Sequence, residues 1–311
     1  MSKSKAFFVN GGAGRMIASI PAFEKYEAES EDKDFIIVCE GGTDIFKGHP
    51  TLDERTYDIW HKGLFKNELK HREILTTEPY RVWEYYNQKC SISQAFDIQI
   101  NDKGIRELPK PTLRLSKDEL LMGRQLVGDV KKKLKKEKII VIQPFGRGIE
   151  YIDETLIDKT ARSFELKDLK SIVKKLQAND YGIILMGEFK VDFADAKLKD
   201  EVAMPENVSP RIWAAIIKYA DYFLGCDSLG QHLAYAMGQK ASVVVGSTFP
   251  INVSYPDVPE FDILDMGEVN REYSPIRILP DERVDRMNEN IMTMNEDITT
   301  LVVDHVLGKK E

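Results

Sequence analysis

The sequence has 311 residues and a formal net charge of −7; 42% of the residues are hydrophobic and 31% are charged. This length suits two domains of roughly 150 residues each, and the acidic balance disfavours a nucleic-acid coat and favours a small-molecule enzyme. The three cysteines lack metal-like spacing, and no apolar run approaches the ~18 residues of a membrane span. We therefore predict a cytoplasmic protein without transmembrane segments, for which peripheral contact with the inner face of a membrane remains open.

The first half begins with a strand, a glycine turn and a helix. An apolar run at 6–10 breaks at the glycine-rich turn 11–14, after which apolar side chains recur with helical spacing. A second strand is predicted at 35–38, with polar residues at 39–42 following it. Residues 50–110 are less regular and rich in aromatic side chains, which suit either a core or the wall of a binding cleft.

The domain boundary is predicted between residues 112 and 113, just after a pair of prolines. The next helix is predicted at 116–138, with Ser116 as its N-cap and Glu119 as its capping-box partner. This helix ends in a lysine-rich run at 131–138. Such a run could bind phosphate or nucleic acid, but we favour a solvated helix end that complements the helix dipole.

The second half alternates strands and helices more regularly. Strands are predicted at 139–143, 182–186, 222–225 and 241–246, and helices at 166–178, 208–220 and 228–237. This alternation predicts a parallel, doubly wound α/β sheet. The first half follows the same pattern more loosely, so we expect two Rossmann-like domains facing a cleft. A last helix is predicted after Asn295, which is a good N-cap.

The glycine turn near the start invites comparison with a dinucleotide-binding loop. The third glycine of G-x-G-x-x-G would fall at Ile17, so the helix-packing glycine is missing and an NAD site is disfavoured. Gly12 and Gly14 suit a turn whose backbone approaches a ligand, or simply a tight turn between strand and helix. Arg15, just inside the helix, could reach a phosphate or a carboxylate.

Polar residues also follow the strands of the second half. Gly146 and Arg147 open the backbone beside a cation, Arg162 offers a bidentate guanidinium, and Glu188 suits ribose hydroxyls. Taken singly, each also has an ordinary interpretation. The loop of Gly146 and Arg147 fits a flexible connector, Arg162 a surface arginine, and Glu188 a surface carboxylate.

The most informative cluster consists of Asp227, Ser228, Gln231 and His232, where a predicted strand ends and a helix begins. Open α/β sheets bind ligands at this edge. The free N–H groups and positive dipole end of a helix N-terminus suit an anion such as a phosphate. His232 alone would indicate a core or capping role, but the cluster favours a ligand site.

Several catalytic motifs are missing from the sequence. It contains no H-x-x-x-H, C-x-x-C or P-loop motif and no G-x-S-x-G nucleophile elbow. We therefore predict a metal-independent mechanism without a resident cofactor.

Two segments of the second half resemble the glycosyltransferases of family nine, which are typified by bacterial lipopolysaccharide heptosyltransferases. Residues 227–234, Asp-Ser-Leu-Gly-Gln-His-Leu-Ala, are similar to the family's D-S-G-P-M-H-L-A, and 246–250 match its terminal G-x-T-x-P. Residues 143–146 resemble its H-P-G segment, with Arg162 and Phe164 replacing the lysine and tryptophan of its K-x-W contact.

A third segment carries the resemblance into the first half. Residues 14–22 are similar to the family's G-D-x-x-x-x-x-P-A, but Arg15 stands where the family has its proposed catalytic aspartate. The resemblance leaves two accounts of this change. Either the base has moved to Glu40, Asp44 or His49, or the acceptor is acidic and needs an arginine; alternatively, transfer has been lost and only sugar-nucleotide binding persists.

The resemblance implies a GT-B fold and an inverting, metal-independent transfer of a sugar from a nucleotide-diphosphate sugar to an acceptor hydroxyl. Residues 113–280 would bind the donor, residues 1–112 the acceptor, and the tail 281–311 would pack back on the first domain. A saccharide or glycolipid is the expected acceptor and a modified nucleic-acid base a less favoured one; an epimerase without a separate acceptor is a further alternative. The implied donor-binding residues are Gly146, Arg147, Arg162, Glu188, Asp227, Ser228, Gln231 and His232, and the acceptor-side residues are Gly12, Gly14 and His49 beside Arg15, Glu40 and Asp44.

Overall fold

The computed structural model describes residues 3–146, 148–152, 155–158, 160–187, 191, 193, 200–272, 288 and 290–309. The chain forms two compact units, and the division lies between Ser116 and Lys117, where the sequence predicted 112 and 113. Each unit contains a sheet of parallel strands. The α/β class predicted from the sequence is therefore confirmed.

The first unit is built on a four-stranded parallel sheet of order β3-β2-β1-β4. Its strands are β1 Lys5–Val9, β2 Ile36–Cys39, β3 Thr56–Asp58 and β4 Glu73–Thr77, and its α-helices are α1 Ala13–Glu29, α2 Trp83–Tyr86 and α3 Ile92–Asn101. Shorter turns are the 3-10 helices Thr43–Phe46, Asp53–Arg55 and Pro79–Arg81 and the π-helix Leu64–Leu69.

Aromatic side chains form the core of the first unit. Phe7 of β1 makes edge-on contacts with Phe23 and Tyr26 of α1, at ring-centroid distances of 5.6 and 5.0 Å. Phe35 packs against the same tyrosine at 4.9 Å. These buried rings hold α1 on the sheet and so fix the glycine turn where β1 ends.

The second unit is built on a six-stranded parallel sheet of order β12-β11-β10-β5-β8-β9, with a separate antiparallel hairpin of β6 and β7. Its strands are β5 Lys138–Gln143, β6 Ile149–Ile152, β7 Thr155–Asp158, β8 Tyr181–Leu185, β9 Val202–Ala203, β10 Tyr222–Cys226, β11 Ala241–Val245 and β12 Phe261–Asp265. Its described helices are α4 Lys117–Leu134, α5 Leu166–Ala178, α6 Pro210–Tyr219, α7 Leu229–Met237, α8 Pro250–Val253 and α9 Glu296–Leu307.

Both sheets reverse their strand order at one place. Counted along the chain within the second unit, the strands lie in the order 3-2-1-4-5-6, which is that of a dinucleotide-binding Rossmann sheet. The reversal falls between β5 and β10. In the first unit the order is 3-2-1-4, with the reversal between β1 and β4. Open α/β sheets bind ligands outside the strand ends at such a switch point.

The lysine-rich helix end differs in length from the prediction. Helix α4 stops at Leu134, and Lys135 adopts a left-handed φ of 55° before β5 begins at Lys138. Lys131 pairs with Asp221 at 3.2 Å and Lys136 with Asp180 at 2.6 Å. These ion pairs agree with the solvated helix end that we favoured.

The final helix is capped as predicted but packs elsewhere. The Asn295 side chain accepts a hydrogen bond from the Ile298 N–H at 2.8 Å, which confirms the N-cap. Its apolar stripe, Val302, Val303 and Val306, joins the core of the second unit, and α9 packs against α5. The sequence had assigned this tail to the first domain; the stripe instead covers the apolar face of α5.

Candidate functional site

The predicted cluster of the second unit lies at its switch point. Strand β10 ends at Cys226, Asp227 follows, and Ser228 is the N-cap of α7. The Ser228 side chain makes no hydrogen bond to the first turn of α7. Instead, Gln143 at the end of β5 accepts a hydrogen bond from the Gly230 N–H at 2.6 Å and donates to Ser228 Oγ at 3.2 Å. The two strands that flank the switch point are thereby joined at the helix N-terminus.

Asp227 is buried and engages three neighbours. Its Oδ1 accepts a hydrogen bond from Gln231 Nε2 at 3.0 Å, and its Oδ2 accepts one from Thr248 Oγ1 at 2.9 Å. Arg162 Nη1 lies 3.7 Å from the same Oδ2. A buried carboxylate needs such partners because burial alone disfavours its charge. The network therefore joins the motif after β10 to the loop after β11 and to Arg162.

The loop after β5 is held in place by the hairpin. The Gly146 N–H donates to Ser163 Oγ at 2.9 Å, and the Asp158 carboxylate accepts hydrogen bonds from the backbone N–H groups of Ser163 and Thr160 at 3.1 and 2.7 Å. Burial would raise the pKa of Asp158, but hydrogen bonds from Ser163 and Thr160 outweigh it and lower the pKa. The Asp158 carboxylate is thus a fixed negative anchor for this loop.

Gly146 lies close to the groups that define the site. A Cβ atom placed on it would be 3.8 Å from the Asp227 carbonyl oxygen and 3.9 Å from both Arg162 Nη2 and Asp158 Oδ2. These are ordinary van der Waals distances, so the protein itself does not require glycine here. Glycine leaves room for a ligand to approach the backbone.

His232 is a buried, neutral member of the cluster. It is 8% exposed, and its Nδ1 lies 2.7 Å from the Tyr255 hydroxyl. Burial lowers the pKa of His232 to about 4, against the opposing charge of Asp227. Burial also raises the pKa of Tyr255, whose ring stacks on Tyr235 at 3.9 Å. At neutral pH the imidazole can therefore donate or accept a hydrogen bond but carries no charge.

Gln231 has one buried oxygen without a partner. Its side chain is fully buried, and its Oε1 has no hydrogen-bond partner among the described residues. A buried acceptor left unpaired costs about 1–3 kcal/mol. This oxygen is suited to a hydroxyl group at the site, in a position where the resembling family has methionine.

Arg147 and Glu188, which the sequence assigned to the donor, lie outside the described residues. Arg162, Asp227, Gln231 and the Gly146 loop are brought together, with Ser228 joined to them through Gln143. Asp158, Ser163 and Tyr255 were missed by sequence reasoning. Asp158 is the last residue of an unpredicted hairpin, Ser163 follows it, and Tyr255 carries no motif, so only the fold brings them to the site.

The glycine turn of the first unit also lies at a switch point. Gly11 has φ 99°, Gly12 is the N-cap of α1, and Gly14 and Arg15 lie in its first turn. Arg15 Nη2 contacts Glu78 Oε1 at 3.3 Å, and its guanidinium lies 4.8 Å from the centre of the Tyr80 ring. Glu78 directly follows β4, so this ion pair joins the ends of β1 and β4.

Glu78 is a carboxylate that sequence reasoning missed. Its Oε1 also accepts a hydrogen bond from the Tyr80 N–H at 3.4 Å, whereas its Oε2 has no partner within the described part of the chain. Arg15 and Glu78 side chains are 14% and 16% exposed. The sequence places them 63 positions apart, and only the pairing of β1 with β4 makes them neighbours.

The other predicted acceptor-side residues fall into two groups. Glu40 and Asp44 are exposed after β2, and Gly42 between them packs so closely on α1 that a Cβ would lie 2.8 Å from Met16 Cγ. This packing sets their loop beside the glycine turn. His49 is buried; its Nδ1 accepts hydrogen bonds from the Thr51 and Leu52 N–H groups at 3.3 and 3.2 Å.

Because Nδ1 of His49 is an acceptor, its proton resides on Nε2, which lies 3.1 Å from Glu24 Oε1. Both ring nitrogens are therefore engaged inside the first unit. His49 and Glu24 line a separate cavity of about 360 Å³ together with Thr51, Lys110 and Arg114. These contacts tie His49 to its own loop, and its role on the acceptor side stays a prediction.

The part of the chain that the structure describes has neither a metal-binding cluster nor a helix that could span a membrane. No group of three or more histidine, cysteine, aspartate or glutamate side chains is arranged there to hold a metal ion. Among the same residues, none of the helices combines the length and apolarity required to cross a bilayer.

The fold is that of the GT-B glycosyltransferases, as the resemblance predicted. No known family model and no curated protein matches the sequence itself. Among solved structures, the glycosyl transferase family 9 from Veillonella parvula DSM 2008 superposes with a TM-score of 0.68 at 9% identity, covering 100% of this chain and 99% of its own.

Two further structures are heptosyltransferases. E. coli ADP-heptose LPS heptosyltransferase II has a TM-score of 0.60 at 11% identity, covering 97% of this chain and 99% of its own. The dodecameric iron-containing heptosyltransferase TibC, from enterotoxigenic E. coli H10407 and in complex with ADP-D-β-D-heptose, has a TM-score of 0.60 at 12% identity, covering 99% of this chain and 76% of its own. At these identities the likeness establishes the fold.

Proposed function

We propose that this chain is an inverting, metal-independent glycosyltransferase that moves a sugar from a nucleotide-diphosphate sugar to an acceptor hydroxyl. The main support is the N-terminus of α7, which lies at the switch point of the second unit and has no side-chain cap from Ser228. Arg162 and the Gly146 loop lie beside it. Helix N-termini bind phosphates through free N–H groups and the helix dipole. The neighbours of like fold include proteins described as heptosyltransferases.

Asp227 needs a role that fits its charge, because an isolated carboxylate would repel a diphosphate. Its two oxygens accept hydrogen bonds from Gln231 and Thr248, and Arg162 lies beside it. We assign Asp227 to the orientation of Arg162 and Gln231. The diphosphate is then held by the α7 N-terminus and Arg162, while the buried Gln231 Oε1 accepts a hydrogen bond from a sugar hydroxyl.

The proposed reaction is a single displacement. The acceptor oxygen attacks the anomeric carbon, a new carbon–oxygen bond forms, and the bond from that carbon to the diphosphate breaks. The hydroxyl proton passes to a carboxylate base, and the nucleoside diphosphate leaves with the extra negative charge. Preorganised N–H groups and Arg162 stabilise this charge as it develops, which is commonly the largest catalytic contribution.

We propose Glu78 as the base, alongside the sequence-based candidates Glu40 and Asp44. It lies at the switch point of the first unit, where Arg15 and the Tyr80 N–H hold one carboxylate oxygen. The other oxygen is then turned to an incoming hydroxyl. Arg15 thereby orients a carboxylate that follows β4, whereas the resembling family has an aspartate at the position of Arg15.

A series of substitutions tests both the sugar-transfer reaction and the identity of the catalytic base. Wild-type protein is incubated with ADP-, UDP-, GDP- and CDP-sugars, a chelator and a panel of saccharide and glycolipid acceptors, and nucleoside diphosphate release is measured. We expect release with one donor and inversion at the anomeric carbon. Glu78→Gln should lower kcat by at least about 100-fold with donor KM unchanged, whereas Glu40→Gln and Asp44→Asn should retain activity.

Three other outcomes would contradict Glu78 as the base or the transferase proposal itself. Full activity in Glu78→Gln together with loss in Glu40→Gln or Asp44→Asn would return the base to the loop after β2. Donor binding without nucleoside diphosphate release in the presence of any acceptor would support the non-catalytic alternative, which is one of the two accounts of Arg15. Conversion of the donor by the protein alone would support an epimerase. The three cysteines are free and buried, which suits the proposed cytoplasmic location. The same assays should therefore be run under reducing conditions.

A further inference from the structure

The segment that joins β3 to β4 exposes large aromatic side chains to solvent. Trp60 is 88% exposed and Phe65 is 73% exposed, both high values for such large apolar groups. Isolated exposed apolar residues are common on protein surfaces, whereas two large aromatic rings this exposed within six residues of one segment suit an interaction site. This pair suits a partner that covers apolar rings.

The segment is ordered by its own anchors. Leu64 is buried, and both Leu64 and Leu69 pack on the sheet residues Ala6, Ile36 and Val38. The intervening turns form a π-helix, in which residues five apart share a face. Leu64 and Leu69 therefore face the sheet together. Phe65 comes directly after Leu64, and Lys70 comes directly after Leu69. The exposure of Phe65 is a consequence of this register.

Lysines accompany the two aromatic rings. Lys62, Lys66 and Lys70 are exposed, and none of the three makes an ion pair with another described residue. The nearby Arg72 is engaged in the fold, donating to the Glu68 carbonyl oxygen at 2.7 Å and to Ser4 Oγ at 2.8 Å. The protein as a whole has a net charge of −7. Three unpaired cations on one short segment of an acidic protein indicate an anionic partner.

We propose that this aromatic-lysine surface, formed by Trp60, Lys62, Phe65, Lys66 and Lys70, docks on an anionic lipid bilayer. Tryptophan and phenylalanine rings insert at the headgroup level, and lysines gain from the negative surface potential of the bilayer. The side chains of lysine also bury their apolar stems while their charged ends stay in water. An anionic bilayer can bind the aromatic rings and the lysines at the same time. This docking does not depend on the proposed transfer reaction.

Vesicle co-sedimentation of the full-length protein tests this inference. Wild-type protein is mixed with vesicles of phosphatidylcholine alone or of phosphatidylcholine and phosphatidylglycerol in equal parts. We expect partitioning to the anionic vesicles only, weakened by salt, and a blue shift in tryptophan emission. Trp60→Ala/Phe65→Ala and Lys62→Gln/Lys66→Gln should each reduce partitioning by about tenfold or more. The replaced side chains are exposed, so thermal unfolding should be unchanged.

Trp83→Ala/Tyr86→Ala is the matched control, since these two aromatic residues are 60% and 47% exposed but lie in α2, after β4. It should partition like the wild type. The inference is overturned if the wild type ignores anionic vesicles, or if the surface variants bind them as well as the control does. It is also overturned if the same variants lose binding to a labelled oligonucleotide while vesicles are never bound, because the partner is then a nucleic acid.

Discussion

At the scale of single residues, burial sets the charge state of the site. His232 has its pKa lowered from 6.5 to about 4 because its imidazole is buried. The folded protein therefore binds fewer protons than the unfolded chain between these two pH values. The contribution of the neutral His232 side chain to the free energy of unfolding is therefore fully present above about pH 6.5. This contribution decreases as the pH falls and is lost once the pH is below about 4.

Replacement of His232 should flatten this pH dependence. A shift from 6.5 to about 4 corresponds to about 3 kcal/mol of unfolding free energy. The difference in stability between wild type and His232→Gln should therefore change by about this amount between neutral pH and about pH 4, to the disadvantage of the wild type. Urea unfolding at a series of pH values measures it. Parallel profiles for the two proteins would show that the imidazole is not held neutral.

Tyr255 should matter for its hydroxyl more than for its ring. Tyr255→Phe removes the partner of His232 Nδ1 and leaves a buried polar atom unpaired, which costs about 1–3 kcal/mol. Tyr235→Phe keeps the stack on Tyr255 and leaves this hydrogen bond intact, so it should cost less. Urea unfolding at neutral pH compares the two. Equal losses would mean that the hydrogen bond between Tyr255 and His232 contributes no more to stability than the Tyr235 hydroxyl does.

At the scale of elements, close packing between α4 and α6 depends on one glycine. A Cβ on Gly123 would lie 2.4 Å from Ala215 Cβ and 2.7 Å from the Ala215 carbonyl carbon. Because backbone atoms cannot move aside locally, the two helices would have to separate. Glu119 of α4 and Arg211 of α6 also meet here, with Nε–Oε1 and Nη2–Oε2 distances of 2.6 and 2.8 Å.

Two alanine substitutions in α4 should therefore have opposite signs. Gly123→Ala should destabilise the protein by about 1–3 kcal/mol through overpacking. Gly128→Ala, whose Cβ would have no neighbour within 4 Å, should stabilise it by about 0.5–1 kcal/mol, since alanine favours the helix over glycine. Urea unfolding free energies test the pair. Stabilisation by both substitutions would disprove the close approach of α4 and α6.

Elements with a strong local pattern were predictable, and those that depend on distant pairing were not. Helix α5 matches its predicted bounds, and α7 begins one residue later than predicted, because apolar spacing and capping residues are local signals. Strands β3 and β9 are short, and the β6–β7 hairpin carries no turn signal that we recognised. Helix α9 was found, but its packing partner α5 could not be read from its own residues.

The same distinction holds for the sites. Asp227, Gln231 and His232 belong to one strand–helix junction, so a local motif was enough to predict that they lie together. The Arg15–Glu78 pair depends on β1 and β4 being neighbours in the sheet. That register is set by the packing of the whole first unit, and no spacing in the sequence encodes it.

At the scale of the whole molecule, both units follow the same plan. Each places an arginine–carboxylate contact at the reversal of its strand order, Arg15–Glu78 in the first unit and Arg162–Asp227 in the second. The second unit adds the N-terminus of α7, where the Ser228 side chain makes no capping hydrogen bond, and the Gly146 loop; these are the features that suit a diphosphate. The central claim is that this second site binds a sugar nucleotide.

Thermal unfolding with a panel of ADP-, UDP-, GDP- and CDP-sugars, for wild type and Gly146→Ala, tests this claim most directly. One donor at ~100 times its Kd should stabilise the wild type by about 2.7 kcal/mol and raise its Tm. Because a Cβ on Gly146 meets its neighbours only at 3.8–3.9 Å, Gly146→Ala should keep the unliganded Tm and lose most of the shift. Stabilisation by none of the donors, or an undiminished shift in Gly146→Ala, would contradict a donor site at this switch point.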